Sequence, residues 1–174
     1  MSVGEIHLLR PVVTAFQIRH PAWQLVVSST TDTGLAEAHK LFPSLMILPF
    51  PFDFSWACRR TLRAVSPLVV VLAESELWPN FLKAAQRENV PVVVINGRMS
   101  PRSFRRAKRF AWLARHVLFG RITLFLMQSE RYANHLLQLG VEPARVQVTG
   151  SVKYDGVLGE KSNAKTQEFA RLFN

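Results

Sequence analysis

The sequence predicts an α/β fold in which a parallel sheet carries helices on both faces. Three observations lead there. Short apolar segments alternate with longer helical segments along nearly the whole chain. Most of those short segments are apolar throughout rather than at every second residue, as expected of parallel strands buried beneath helices. The chain has 174 residues, 48% of them hydrophobic and 20% charged, which suits one domain with a real core.

The elements follow in order. Residues 6–19 read as an amphipathic helix, because Leu8, Leu9, Val12, Val13 and Phe16 recur at helical spacing. Residues 24–29 are short, apolar and β-branched, hence a buried strand, and 30–34 form a loop into a helix over 35–41. Residues 45–48 make a second strand, closed by the Pro-rich piece 49–52. A helix over 54–64 stops before Ser66-Pro67, since a residue preceding Pro avoids the α region. Residues 68–73 form a third strand, 74–79 a polar turn, and 80–88 a helix. A fourth strand over 90–95 leads through the loop 96–101 into one basic helix over 103–117. Residues 122–127 form a fifth strand and 129–139 a helix, with Gly140 where a C-terminal cap belongs. Residues 146–149 are a sixth strand, and the pattern weakens after Gly150. No repeat is visible beyond the βα unit. A doubly wound sheet normally opens with a strand before its first helix. Only Met1 to Gly4 precede Glu5, so the first strand is expected to be absent, or the chain to be a fragment.

Lys plus Arg total 22 against 12 Asp plus Glu, a net charge of +10, which points to an anionic partner. Cys58 is the only cysteine, so neither a disulfide framework nor a CxxC metal site can form, and it is expected to be a small buried hydrophobe. The apolar runs are far shorter than the roughly 20 residues of a spanning helix, and no signal peptide is visible. There is no GxGxxG, Walker A or GxSxG motif. The histidines His7, His20, His39, His116 and His135 lack ligand spacing. No metal and no cofactor are expected.

Ligand sites in parallel sheets lie at the carboxyl ends of the strands. Several candidates fall there. Glu5 stands at or before the first helical turn, as a general base or as a plain acid favoured by the helix dipole. Glu74 and Glu76 directly follow an apolar strand. Buried carboxylates are costly unless paired or used, so one could act in a site while the other supports it. The alternative is a cluster serving the first turn of the next helix. Lys153 in Gly150-Ser151-Val152-Lys153-Tyr154-Asp155 could stabilise negative charge, or be a solvated lysine paired with Asp155. Between Arg98 and Arg121 lie eight cations and no acid: Arg98, Arg102, Arg105, Arg106, Lys108, Arg109, Arg115 and Arg121. Phe104, Ala107, Ala111, Ala114 and Leu118 form the apolar stripe of this stretch, flanked by Phe110, Trp112 and Phe119. Such a helix suits an anionic membrane surface, an outer solvated position, or nucleic acid phosphates. No nucleic-acid-binding signature supports the last, and no nucleic acid partner is expected. The loop Pro49-Phe50-Pro51-Phe52-Asp53-Phe54 with Trp56 could wall an acyl chain or simply pack.

These pieces resemble a known family. Ser2-Val3-Gly4-Glu5, Ser29-Thr30-Thr31-Asp32-Thr33-Gly34, Leu48-Pro49-Phe50, Glu74-Ser75-Glu76-Leu77-Trp78-Pro79-Asn80, Asn96-Gly97-Arg98-Met99-Ser100, Arg121-Ile122 and Val148-Thr149-Gly150 through Asp155 occur in the order seen in bacterial Kdo (3-deoxy-D-manno-octulosonic acid) transferases. The resemblance spreads over nearly the whole chain and is to the N-terminal half of that family. It implies the Rossmann-like N-terminal domain of a GT-B glycosyltransferase. It implies inverting, metal-independent transfer of Kdo from CMP-Kdo to the lipid A precursor of lipopolysaccharide. Glu5 matches the general base, Glu74 the acid that stabilises the transition state, Lys153 the basic residue of similar role, and Glu76 a support residue. Arg98, Arg102, Arg105, Arg106 and Arg109 would then meet lipid phosphates at the cytoplasmic face of the inner membrane. Residues 1–156 would form the acceptor-binding domain, and 157–174 a polar tail towards an absent CMP-sugar-binding domain. Two alternatives stay open: a catalytically silent module that binds lipid A or the membrane surface, and a GT-B half that uses another sugar donor.

Overall fold

The computed structural model describes residues 3–74 and 76–152. Its elements are α1 (Val3–Arg19), β1 (Val26–Ser29), α2 (Asp32–Leu41), β2 (Met46–Pro49), α3 (Ser55–Val65), β3 (Val70–Ala73), α4 (Pro79–Arg87), β4 (Val92–Gly97), α5 (Pro101–Arg109), α6 (Ala111–Val117), β5 (Leu124–Met127), α7 (Glu130–Gln138) and β6 (Val146–Val148). Short 3-10 turns precede β5 (Phe119–Arg121) and β6 (Pro143–Arg145). The chain is thus an α/β protein, and all six strands expected from the sequence are present. Among the described residues every strand pairing is parallel.

The pairing differs from the expected single sheet. The described strands form a two-stranded sheet, β1-β2, and a separate four-stranded sheet, β3-β4-β5-β6. Val26 pairs with Met46, and Val70 with Val92, but no described strand joins β1 to β3.

Each sheet has its own core. Cys58, Leu62, Phe81, Leu82, Val92, Val94, Ile122, Phe125 and Leu136 belong to the large cluster around the four-stranded sheet. Ile6, Val27, Ala38 and Phe42 make the small one. Arg59 and Arg63 tie α3 to the end of α4 through Glu88, with Nε–Oε1 distances of 2.9 and 3.0 Å. Phe50, just past β2, bridges the two regions. Its backbone N–H donates to the Ser29 carbonyl, and its ring lies 4.8 Å from that of Phe81.

Local chemistry explains the boundaries. Helix α3 ends at Ser66, whose φ of 48° is left-handed, immediately before Pro67. Gly140, with φ 82°, follows α7 where the sequence places a cap. A Cβ at Gly97 would stand 2.6 Å from the Met127 sulfur and 3.3 Å from the Leu126 carbonyl oxygen of the neighbouring strand, so a side chain there would have to displace that of Met127. The single basic helix expected over 103–117 is instead two, α5 and α6, broken at Phe110, whose φ and ψ are −130° and 43°. Its apolar stripe holds: Phe104, Ala107, Ala111, Ala114 and Leu118 all pack on the large core. Phe119, expected to flank that stripe, is only 3% exposed, because the 3-10 turn folds it inward against Phe125.

Candidate active site at the carboxyl edge of the sheets

Glu74 leaves β3 with φ 58°, in the left-handed region that side-chain-bearing residues rarely adopt. Its backbone N–H is still held by the ladder, donating to the Ile95 carbonyl at 2.9 Å. The chain therefore turns sharply at the last paired residue, and the carboxylate stays at the strand end. There the Arg98 guanidinium Nε lies 3.9 Å from Glu74 Oε2. Arg98 is well exposed, so this pair adds little stability. Residues held in sparsely populated backbone conformations gather at working sites.

Asn96, at the end of the neighbouring β4, has φ 52° and is 1% exposed. Its Oδ1 accepts from the Val152 N–H at 3.2 Å, and its carbonyl accepts from Gln128 Nε2 at 2.9 Å. The Gln128 N–H donates to the Gly97 carbonyl at 2.9 Å. The ends of β4 and β5 and the segment after β6 are thus tied through the side chains of Asn96 and Gln128. Among the described residues, Asn96 Nδ2 is buried without a hydrogen-bond partner. The sequence reading marked this loop but not Asn96. The available signal was Asn-Gly straight after an apolar strand.

Lys153, the next residue after Val152, lies outside the described residues, as does Ser75. Glu5 sits in the first turn of α1 and is half-buried. Glu76 is half-buried in the segment leading to α4. Asp53 caps that helix. Asp53 Oδ1 accepts from the Phe81 N–H at 2.8 Å, its Oδ2 accepts from the Asn80 N–H at 3.3 Å, and Asn80 Nδ2 donates to its carbonyl at 2.7 Å. Asp53 escaped the sequence reading because it caps a helix 26 residues further on, which local spacing cannot show. The same carboxylate faces Cys58. Burial, then the Asp53 charge, pushes that thiol up to about 11. Two more helices start at this edge with side-chain caps. Thr31 Oγ1 accepts from the Gly34 N–H, and Ser100 Oγ from the Ser103 N–H, both at 3.1 Å.

Beside the edge lies the basic surface. Arg98, Arg102, Arg105, Arg106 and Arg109 are all exposed, and α5 buries no residue fully. Phe104 holds α5 down by stacking on His135 at 4.3 Å, with Lys108 over the same ring at 5.7 Å. Phe110, Trp112 and Leu113 stand 61, 73 and 49% exposed next to these cations. In the loop after β2, Phe50 packs inward, while Phe52 and Phe54, with Trp56 at the start of α3, are exposed. Among the described residues no helix is long and apolar enough to cross a membrane.

Comparison with known proteins follows the same lines. Residues 1–156 match a family model described as 3-deoxy-D-manno-octulosonic-acid transferase (kdotransferase). A transferase of that name from Chlamydophila psittaci is 39% identical over 92% of this chain, which spans 38% of that relative. One from Bordetella pertussis is 34% identical, again over 92% of this chain and 38% of its own length. A bifunctional glycosyltransferase/methyltransferase from Fusobacterium nucleatum is 30% identical over 99% of this chain and 27% of its length. The chain therefore spans well under half of each of these relatives. In fold alone it is similar to UDP-GlcNAc 2-epimerase from Neisseria meningitidis, with TM-score 0.66 and 15% identity over 90% of this chain and 46% of that one. The likeness to S. aureus MnaA is comparable, with TM-score 0.64 and 14% identity over 97% of this chain and 49% of that one.

Proposed function

The chain belongs to the Kdo transferase family, and from that premise we propose that it forms the acceptor side of a Kdo glycosyltransferase. The reaction is inverting transfer of Kdo from CMP-Kdo to a lipid A precursor, without a metal. Glu5 takes the proton from the acceptor hydroxyl. The freed oxygen attacks the anomeric carbon of Kdo from the face opposite the phosphate. The bond from that carbon to the CMP oxygen breaks, and CMP leaves with the electron pair. Glu74 stabilises the positive charge that develops on the sugar, and Lys153 the negative charge on the departing phosphate. Glu76 supports this pair of acids. The observation that carries the reading is the placing of Glu74: a family-matched acid held at a strand end in a strained backbone, with Arg98 beside it.

Residues 1–156 then act as the acceptor domain, and a separate CMP-sugar-binding domain completes the cleft. The exposed Arg102, Arg105, Arg106 and Arg109, with Phe110 and Trp112, set the domain against phosphates at the cytoplasmic face of the inner membrane. That surface by itself also favours a second reading, a silent module that only binds lipid A or the membrane.

The test is a transfer assay with labelled CMP-Kdo and lipid A precursor, using this chain alone and with a donor-binding domain of a relative added. Product that disappears in Glu5→Gln and Glu74→Gln is expected. Vesicle binding without transfer in any mixture would instead select the silent module. Competition by other activated sugars, on the completed enzyme, would reveal a different donor.

A further inference from the structure

We propose that Asn96 binds substrate: its Nδ2 donates to a sugar hydroxyl oxygen whose hydrogen is accepted by the Glu74 carboxylate. The proposal rests on the reading of the chain as part of a sugar transferase, and it adds to that reading the pair of groups that grips the sugar. Ala73 pairs with Ile95 in the β3–β4 ladder, so Glu74 and Asn96 stand opposite one another one step further on. Neighbouring strands run about 4.8 Å apart, which is also the separation of two groups that hydrogen-bond one hydroxyl from two sides. Both residues are left-handed, with φ 58° and 52°. Adjacent strands thus end in two uncommon backbone conformations side by side, of the kind that gathers at working sites.

The chemistry of the two side chains is matched. An asparagine amide offers one acceptor atom and two N–H donors. Oδ1 of Asn96 is committed to the Val152 N–H at 3.2 Å. That contact fixes the amide, because turning it over would set N–H against N–H. The Nδ2 limb diverges from the contact and, among the described residues, is buried with nothing to donate to. Asparagine tolerates the left-handed backbone, which accounts for the residue type. It does not account for a buried donor left over, which is costly unless something else accepts from it. Across the ladder, Glu74 offers acceptors: its ion pair with Arg98 is long, 3.9 Å, and leaves its oxygens room for a closer donor. A neutral donor beside an anionic acceptor complements a hydroxyl, which both accepts and donates. A carboxylate or phosphate would meet Glu74 as a like charge.

The experiment follows the side-chain amide of Asn96 by NMR in the isotopically labelled chain while Kdo, or the deacylated lipid A precursor, is added. The resonances of that amide are identified by their loss in Asn96→Asp. A saturable shift with at least one of the two sugars, and slower exchange of the amide hydrogens with water, is expected. The sugar that causes it is the one gripped. A tetrahydropyran carboxylate, which is an acid ring without hydroxyls, and inorganic phosphate should leave the amide unmoved. Asn96→Asp keeps the size of the side chain and an acceptor for Val152 but has no N–H to donate. It should weaken sugar binding at least about tenfold while the Val152 amide keeps its slow exchange. No shift with either sugar, an equal shift with the hydroxyl-free acid or phosphate, or undiminished binding in Asn96→Asp would overturn the proposal. None of these readouts involves transfer. A chain that grips sugar this way without transferring it contradicts the reaction alone, and one that transfers with the Asn96 amide unmoved contradicts this proposal alone.

Discussion

The region from α1 to β2 and the region from α3 to β6 are built from the same βα unit, yet they are stabilised very differently. Among the described residues the first buries four apolar side chains in its cluster and the second eighteen. The first has two strands, the second four. Apolar burial is the main favourable term in folding, so the first region should open at far lower free energy than the second. A parallel βα unit gains most of its core from strands on both sides. β1 has a partner on one side, while β4 and β5 have partners on both.

Substitutions can break or sharpen this contrast. Leu82→Ala removes a fully buried side chain from the large cluster and should destabilise the protein by roughly 2–5 kcal/mol, read from the denaturant midpoint. Asp53→Ala comes next. It strips the cap from α4 at the junction of the regions, costing about 1–2 kcal/mol. Ile6→Ala deletes equally buried atoms from the small cluster. It should raise amide exchange in α1 and α2 while barely moving the global midpoint. A midpoint shift as large as that of Leu82→Ala would show that both regions unfold as one unit. The smallest effect belongs to Glu88→Gln. Hydrogen bonds from Arg63, then Arg59, hold the Glu88 carboxyl below its ordinary value. A lowered folded pKa gives stability that is present above the unfolded value near 4.5 and is lost as pH falls through the folded one. The wild type should therefore exceed Glu88→Gln slightly at neutral pH, and the difference should vanish in strong acid.

Much of the fold was legible in the sequence because parallel strands are continuous apolar runs and helices keep their period. Residues 68–73 and 122–127 announced β3 and β5, and Ser66-Pro67 announced the end of α3. What escaped depended on distance along the chain. The break at Phe110 leaves the helical period almost intact, so composition alone cannot reveal it. Asp53 reaching α4 and Asn96 reaching Val152 are contacts between segments that no local pattern connects. The split of the sheet escaped for the same reason, since strand order is set by partners. Of the candidate site, the acids and the arginines were legible as residue types, whereas the left-handed turn at Glu74 and its Arg98 neighbour came only with the fold.

The burial of Cys58 has a practical side. A thiol raised to about 11 is protonated at neutral pH and sheltered by its surroundings, so it reacts sluggishly with maleimides and iodoacetamides. The chain thus offers a nearly silent background for labelling. The variants Trp112→Cys and Arg105→Cys would carry a polarity-sensitive dye almost alone, and its emission colour on adding anionic vesicles would report whether that surface meets lipid at all.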